Sequence, residues 1–212
     1  MDHGDWHKWW EEQAPGYFTD KCWRFSQQDL IDRLAIQPHH CVLEIGFGYG
    51  RELSQFCKLS TNVYGLELTD WACENTLIEL QGRGVTPLPR LRSYDGRSIP
   101  FPSGAFNVIY SCFVVQHMAR QHVVDLIEKT LQALCHDGLG LFEFFGDPQY
   151  QSDDGSDVFS GVDGEGGMFN NAYNRLEVVG LMERAGADLK WLETRSITKE
   201  WGNHWACFGR KV

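Results

Sequence analysis

Apolar residues along this chain follow two alternating spacings. Short runs at 41–45 (CVLEI), 61–68 (TNVYGLEL), 106–114 (FNVIYSCFV) and 139–145 (LGLFEFF) are rich in β-branched and aromatic residues. Such runs predict strands covered on both faces. Between them, apolar positions recur every three to four residues, as in a helix with one buried stripe. Leu30, Ile31 and Leu34 form one such group, and Leu53 and Phe56 another. Leu77, Ile78 and Gln81 mark successive turns of a helix from about Asp70, which Gly82 and Gly84 end. Val123, Val124, Ile127, Leu131 and Leu134 predict a helix to about Cys135, stopped by Asp137 and Gly138. Prolines and glycines break up residues 84–104, leaving a short strand at 91–94 before a turn at Asp95 and Gly96. Val178, Val179, Met182 and Ala185 predict a last helix ending near Gly186, followed by strands at 189–195 and 205–211.

Strands alternating with helices predict an α/β fold, a mainly parallel sheet with helices on both faces. A chain of 212 residues fits one domain. Two segments stand apart from the alternation. Residues 1–38 are aromatic with mixed charge and predict an N-terminal helical cap ahead of a core at 39–212. Residues 147–173 are acidic and glycine-rich, the composition of a lid or binding loop.

Charge narrows the partners. With 19 basic against 29 acidic residues the formal net charge is -10, which repels a phosphate backbone, so no nucleic-acid partner is expected. There is neither a long uncharged apolar run nor a basic start followed by an apolar core. The expectation is a soluble, cytoplasmic protein with no membrane partner, monomeric or homodimeric. Seven cysteines lacking any CxxC spacing read as free thiols.

The chemistry-bearing motif is the turn at 44–50. Gly46, Gly48 and Gly50 follow a strand and precede a helix, where the backbone can turn tightly and a ligand can lie directly on it. GxGxG is not the dinucleotide spacing GxGxxG and taken alone would suit several nucleotide-like ligands. Glu67 ends the next strand, where a carboxylate can accept from two ribose hydroxyls, and Asp95 follows the third, where it could accept from an adenine amino group. His117 follows the fourth strand.

In that order and spacing VLEIGFGYG, YGLELTD and PFPSGAFNVIYSCFVVQHM resemble successive motifs of the class I S-adenosylmethionine-dependent methyltransferases, particularly the small-molecule group. RLEVVGLMERAGA and WACFGRKV resemble that family's last helix and final strand. The resemblance implies a Rossmann-like seven-stranded sheet of order 3-2-1-4-5-7-6, last strand antiparallel, with S-adenosyl-L-methionine as cofactor. It implies that Glu44, Gly46 and Gly48 face the methionine part and that Glu67, with Leu68 beside it, faces the ribose. Asp95 and Gly96 would meet the adenine, and Ser111 would lie near the sulfonium. Glu44 stands where the family often has Asp. A sulfonium without phosphates asks for acceptors and π faces, for which Phe47, Tyr49, Tyr17 and Trp23 are available.

A hydroxyl acceptor also needs a base, and His117 is the first choice. Glu143, Asp147, Asn170, Asn171, Tyr173, Asn203 and His204 are further polar residues for an acceptor site, read as loop or strand-end positions. No calcium-loop spacing is present and no metal is assigned, although a magnesium-dependent sugar or catechol enzyme remains an alternative. The expected function is O-methylation of a small natural-product or sugar hydroxyl. The alternatives are N-methylation, a cofactor-binding but catalytically silent partner subunit, or an NAD-dependent oxidoreductase. The last finds a YxxxK pair in Tyr17 and Lys21, but ahead of the glycine turn instead of downstream.

Overall fold

The computed structural model describes residues 27–146, 171–196 and 202–211. The first 26 residues, with Tyr17, Lys21 and Trp23, lie outside these, as do Asp147 and Asn170. The strands are β1 (Cys41–Ile45), β2 (Asn62–Glu67), β3 (Arg90–Ser93), β4 (Phe106–Ser111), β5 (Leu134–Gly146), β6 (Ala187–Ser196) and β7 (Gly202–Arg210). The helices are α1 (Gln28–Asp32), α2 (Arg51–Leu59), α3 (Asp70–Gly82), α4 (Arg120–Ala133) and α5 (Arg175–Arg184). The sheet runs β3-β2-β1-β4-β5-β7-β6. Its first five strands pair in parallel, and β7 is antiparallel to both β5 and β6.

Period-two alternation divides each strand between two apolar layers. Val42, Val108, Tyr110, Leu141 and Trp205 pack with Leu30, Leu34, Leu53 and Phe56 on one face. Leu43, Ile45, Ile109, Phe142 and Phe144 pack with Val123, Ile127, Val178 and Leu181 on the other. Burial on both sides is why the strand segments read as continuous apolar runs. On the far side of the sheet α1 is tied to β6: Asp29 pairs with Arg195, Arg33 with Glu193, and the Arg33 guanidinium lies 3.7 Å from the Trp191 ring centroid.

Three expectations are corrected. In α3 the buried stripe is Ala72, Cys73, Thr76 and Leu80, whereas Ile78 is 68% exposed and Gln81 faces solvent. Ile78 lies two residues from both Thr76 and Leu80, roughly 160° away around the helix. The face is chosen by the glycine turn, because the Thr76 hydroxyl donates to the Gly48 carbonyl at 2.7 Å.

The helix expected to reach Cys135 ends at Ala133, and β5 starts at once with Leu134. Leu134 pairs with Phe106 and Leu139 with Val108, so three extra residues bulge out of β5. His136 and Asp137 are exposed in that bulge, which absorbs turn-type residues inside the ladder. Finally, Asn203 and His204 do not precede β7 but lie buried within it, paired in register with Phe145 and Phe144 of β5. His204 Nδ1 lies 2.8 Å from the Thr194 hydroxyl, so a polar side chain is accommodated without a loop.

Gly65 in β2 links the fold to the turn at its end. A Cβ there would stand 2.6 Å from the Phe47 ring and 2.7 Å from Leu91. Gly65→Ala is therefore expected to lower the unfolding free energy by about 1–3 kcal/mol through overpacking, measured by urea denaturation. A variant as stable as the wild type would show that the ring moves freely.

Candidate functional site

The carboxyl ends of β1, β2 and β3 meet around the glycine turn. Gly46, Gly48 and Gly50 have φ of +71°, +52° and +78°, the left-handed region that glycine enters without a Cβ penalty. At Gly46 there is a second requirement, since a Cβ would lie 2.1 Å from Val114 Cγ2. The Gly46 N–H donates to the Leu66 carbonyl at 2.8 Å and the Gly50 N–H to Phe47 at 2.8 Å, so the turn is held on β2 and on itself.

Glu67 closes the turn from the side. It is 6% exposed, and its two oxygens accept from the Gly48 N–H at 3.4 Å and the Leu68 N–H at 2.6 Å. Burial pushes its carboxyl up to about 7, more than those two N–H groups pull it down. A carboxylate oxygen has two lone-pair positions, so each can still accept one further donor. The Tyr94 N–H donates to the Glu67 carbonyl at 2.9 Å and leads into Asp95. There Oδ1 of Asp95 accepts from the backbone N–H of Ser98 and Arg97 and from the Ser98 hydroxyl at 2.6, 2.9 and 2.8 Å. These bonds, the Ser98 N–H foremost, hold the carboxyl down at about 2, and Gly96 follows at φ +69°.

Beyond β4 the chain turns through Phe113 and Val114 into a short 3₁₀ segment, Val115–His117. His117 is half-buried and its N–H donates to the Val114 carbonyl at 2.9 Å. Asn171 brackets it: its N–H donates to the Gln116 carbonyl and its side-chain amide to the Met118 carbonyl, both at 2.7 Å.

A family model for a methyltransferase domain matches residues 43–142, which span the glycine turn, Glu67, Asp95 and His117. Residues 43–142 thus match a methyltransferase domain, set in a sheet of order 3-2-1-4-5-7-6. Solved structures agree on the fold. A SAM-dependent methyltransferase from Methanosarcina mazei superposes with a TM-score of 0.70 at 14% identity, covering 86% of this chain and 98% of the other. A geranyl diphosphate C-methyltransferase from Streptomyces coelicolor A3(2), solved with Mg2+, geranyl diphosphate and S-adenosyl-L-homocysteine, gives 0.69 at 14% identity, over 87% and 77%. The [4+2]-cyclase SpnF gives 0.70 at 13% identity, over 90% and 85%. No curated protein sequence matches.

The remaining predicted residues take more varied positions. Phe47 is 3% exposed, its ring filling the space over Gly65, so its backbone lines the turn while its ring belongs to the core. Ser111 is wholly buried and donates its hydroxyl to the Ile45 carbonyl at 3.2 Å, bracing β1 against β4 beneath the turn. Glu44 is 1% exposed and its carboxylate accepts from the Leu53 N–H in the first turn of α2. Burial, and then the neighbouring Glu52 charge, hold its carboxyl well above the ordinary value. Tyr173 is buried, its N–H on the Phe145 carbonyl at 2.8 Å.

Asn171 and Glu143, named from the sequence for an acceptor site, make contacts that the sequence did not reveal. The Asn171 bracket joins segments more than fifty residues apart, which spacing does not reveal. Glu143 stands inside β5 at 1% exposure, accepting at Oε2 from the Phe113 N–H at 2.7 Å and the Cys112 thiol at 3.1 Å. A lone acid within LGLFEFF was its signal. Among the described residues no group of three or more His, Cys, Asp or Glu is placed to hold a metal ion, and no helix is long and apolar enough to cross a membrane.

The Glu67 shift has a sign that can be checked. Its folded-state value of about 7 lies above the ordinary 4.5, so between those values the folded protein holds a proton that the unfolded chain has lost. Stability of the free protein is therefore expected to fall as pH rises from about 4.5 to 7, and Glu67→Gln to remove that share. Ribose hydroxyls favour the ionised form, so S-adenosylhomocysteine should bind about tenfold more tightly at pH 8 than at pH 6. Calorimetric titration across this range is the measurement, and a flat affinity counts against ribose contact at Glu67.

Proposed function

We propose that this methyltransferase binds S-adenosyl-L-methionine across the ends of β1, β2 and β3 and methylates a hydroxyl of a small molecule. The observation that carries the reading is the Glu67 carboxylate, which reaches the Gly48 N–H from the neighbouring strand and keeps an acceptor position on each oxygen. The donor set fits this group: backbone N–H groups of the turn at 46–50, carboxylates at Glu67 and Asp95, and no requirement for cations to neutralise phosphate. Arg51, next to the turn, is paired with Glu52 at 2.6 Å between Nε and Oε1. The cofactor, when bound, supplies an electrophilic methyl group on a sulfonium sulfur.

Residues of this chain do the rest. The turn and Gly46 hold the amino-acid part, Glu67 with Leu68 the ribose, and Asp95 with Gly96 the adenine edge. Ser111 acts from below, through the Ile45 carbonyl, rather than by direct contact. His117 receives the acceptor's proton at an imidazole nitrogen, from a position at the carboxyl end of β4 that Asn171 secures from both sides. Small, uncharged or weakly cationic acceptors suit a chain of formal net charge -10 better than nucleic acid. The acceptor atom is oxygen in this reading, with nitrogen as the nearer alternative. A cytoplasmic, monomeric or dimeric enzyme completes the proposal; most of the expected cap at 1–38 and of the expected lid at 147–173 lies outside the described residues.

A second reading is a cofactor-binding chain without transfer activity. It is favoured by the fold's occurrence in a [4+2]-cyclase and by a cofactor site better defined than any base. Thermal shifts with S-adenosylmethionine, S-adenosylhomocysteine and NAD come first, and stabilisation by NAD alone overturns both readings. Labelled-methyl transfer to a panel of phenols, sugars and amines then separates them. His117→Ala is expected to lower kcat on a hydroxyl acceptor by about 10²-fold or more, with S-adenosylhomocysteine affinity within about twofold of wild type. An unchanged kcat would remove His117 from the chemistry.

A further inference from the structure

Among the described residues only Ala35 and Phe113 are non-glycine residues at positive φ, and Phe113, at +58°, stands at the carboxyl end of β4. An aromatic residue is disfavoured there, because its Cβ crowds the backbone. Some contact must hold it. The Phe113 N–H, aimed back into the sheet, meets Oε2 of Glu143 at 2.7 Å, and the Cys112 thiol donates to the same oxygen at 3.1 Å. The next residue, Val114, returns to the right-handed region and lays its side chain on Gly46. All three atoms that a Cβ on Gly46 would meet first belong to Val114, at 2.1, 3.4 and 3.6 Å.

The carboxylate that makes this clamp is expensive. Glu143 is 1% exposed, and its second oxygen, Oε1, has no hydrogen-bond partner among the described residues. Leu141, on its own face of the strand, and Trp205, paired with it across β7, are fully buried, so packing alone would be better served by an apolar residue. A charge-assisted bond to a backbone N–H is the return on that burial.

We propose that Glu143 is a positioning residue for the cofactor site: by clamping Phe113 in its left-handed conformation it seats Val114 against Gly46 and so holds the shape of the glycine turn. The proposal rests on the reading that this turn receives S-adenosylmethionine. It links β5, which contributes no residue to the turn, to cofactor grip through two consecutive residues after β4.

The experiment is calorimetric titration of the full chain with S-adenosylhomocysteine, alongside urea unfolding of the free proteins. The variants are Glu143→Ala, Glu143→Gln, Phe113→Gly and the Glu143→Ala/Phe113→Gly pair. Glu143→Ala is expected to weaken binding tenfold or more. Glu143→Gln should stay within about threefold of wild type, because the amide oxygen still accepts from Phe113. Glycine adopts positive φ without a clamp, so in the Phe113→Gly background the loss caused by Glu143→Ala should fall below threefold. Equal losses in both backgrounds, a Glu143→Ala protein that binds like wild type, or a Glu143→Gln protein as weak as Glu143→Ala would each overturn the proposal. So would a Glu143→Ala chain that folds in neither background, since Glu143 would then serve the core itself. A wild type that fails to bind S-adenosylhomocysteine overturns the cofactor reading and this proposal with it, whereas wild-type binding with an unaffected Glu143→Ala overturns the proposal alone.

Discussion

The contact on which most of the structure turns is the approach of Val114 to Gly46. It lets the loop after β4 pack onto the turn between β1 and α2, with only the Val114 side chain between them. The turn can accept that neighbour because its three glycines take left-handed conformations, which directs the chain from β1 into α2 within five residues. Thr76 then draws α3 onto the same turn from the outside, and Glu67 reaches it from β2. Three segments, the loop after β4, α3 and β2, therefore converge on one short piece of backbone, which lies within the residues that the family model matches.

Placing a ligand site there has an electrostatic consequence. Glu44 and Glu67, at the carboxyl ends of β1 and β2, and Glu143, inside β5, are each at or below 6% exposure, and burial raises all three carboxyls above the ordinary value. Each is partly offset by backbone N–H groups: Leu53 for Glu44, Gly48 and Leu68 for Glu67, Phe113 for Glu143. None of these bonds lies within a helix or sheet ladder. Glu44 reaches the start of α2, Glu67 the glycine turn and its own following residue, and Glu143 the loop after β4, so the acids do structural work where the sheet leaves its backbone donors unpaired. Glu67 differs in standing beside the open end of the turn, where further donors can reach it.

Much of this could be read from the chain. The seven-strand order follows from the resemblance carried by VLEIGFGYG, YGLELTD and WACFGRKV, and the glycine turn, Glu67 and Asp95 fall together as their spacing implies. What could not be read depends on contacts distant in sequence. The buried stripe of α3 was misjudged because Ile78 and Leu77 are apolar, while the position that decides the face, Thr76, is polar and bonds outward to Gly48. The bulge in β5 was hidden because Asp137 and Gly138 are turn residues, and a parallel ladder can carry extra residues without ending. Asn203 and His204 looked like loop because polar residues in a short gap usually are, and only the antiparallel partners on either side show that they belong to β7.

In the proposed function cofactor grip and acceptor chemistry are separable, because the segment after β4 is restrained from two independent directions. Glu143 holds its beginning, at Cys112 and Phe113, from the neighbouring strand. Asn171 holds its end, at Gln116 and Met118, from the chain leading into α5, where Arg120 also reaches the Ala172 carbonyl at 3.0 Å. Val114, beside the first restraint, touches the glycine turn, and His117 lies under the second. A change at Asn171 therefore bears on His117, the proposed base, while a change at Glu143 reaches the turn first. The positive φ of Phe113 marks where one role gives way to the other, since a backbone held there by a single carboxylate turns the chain from the cofactor side towards the acceptor side.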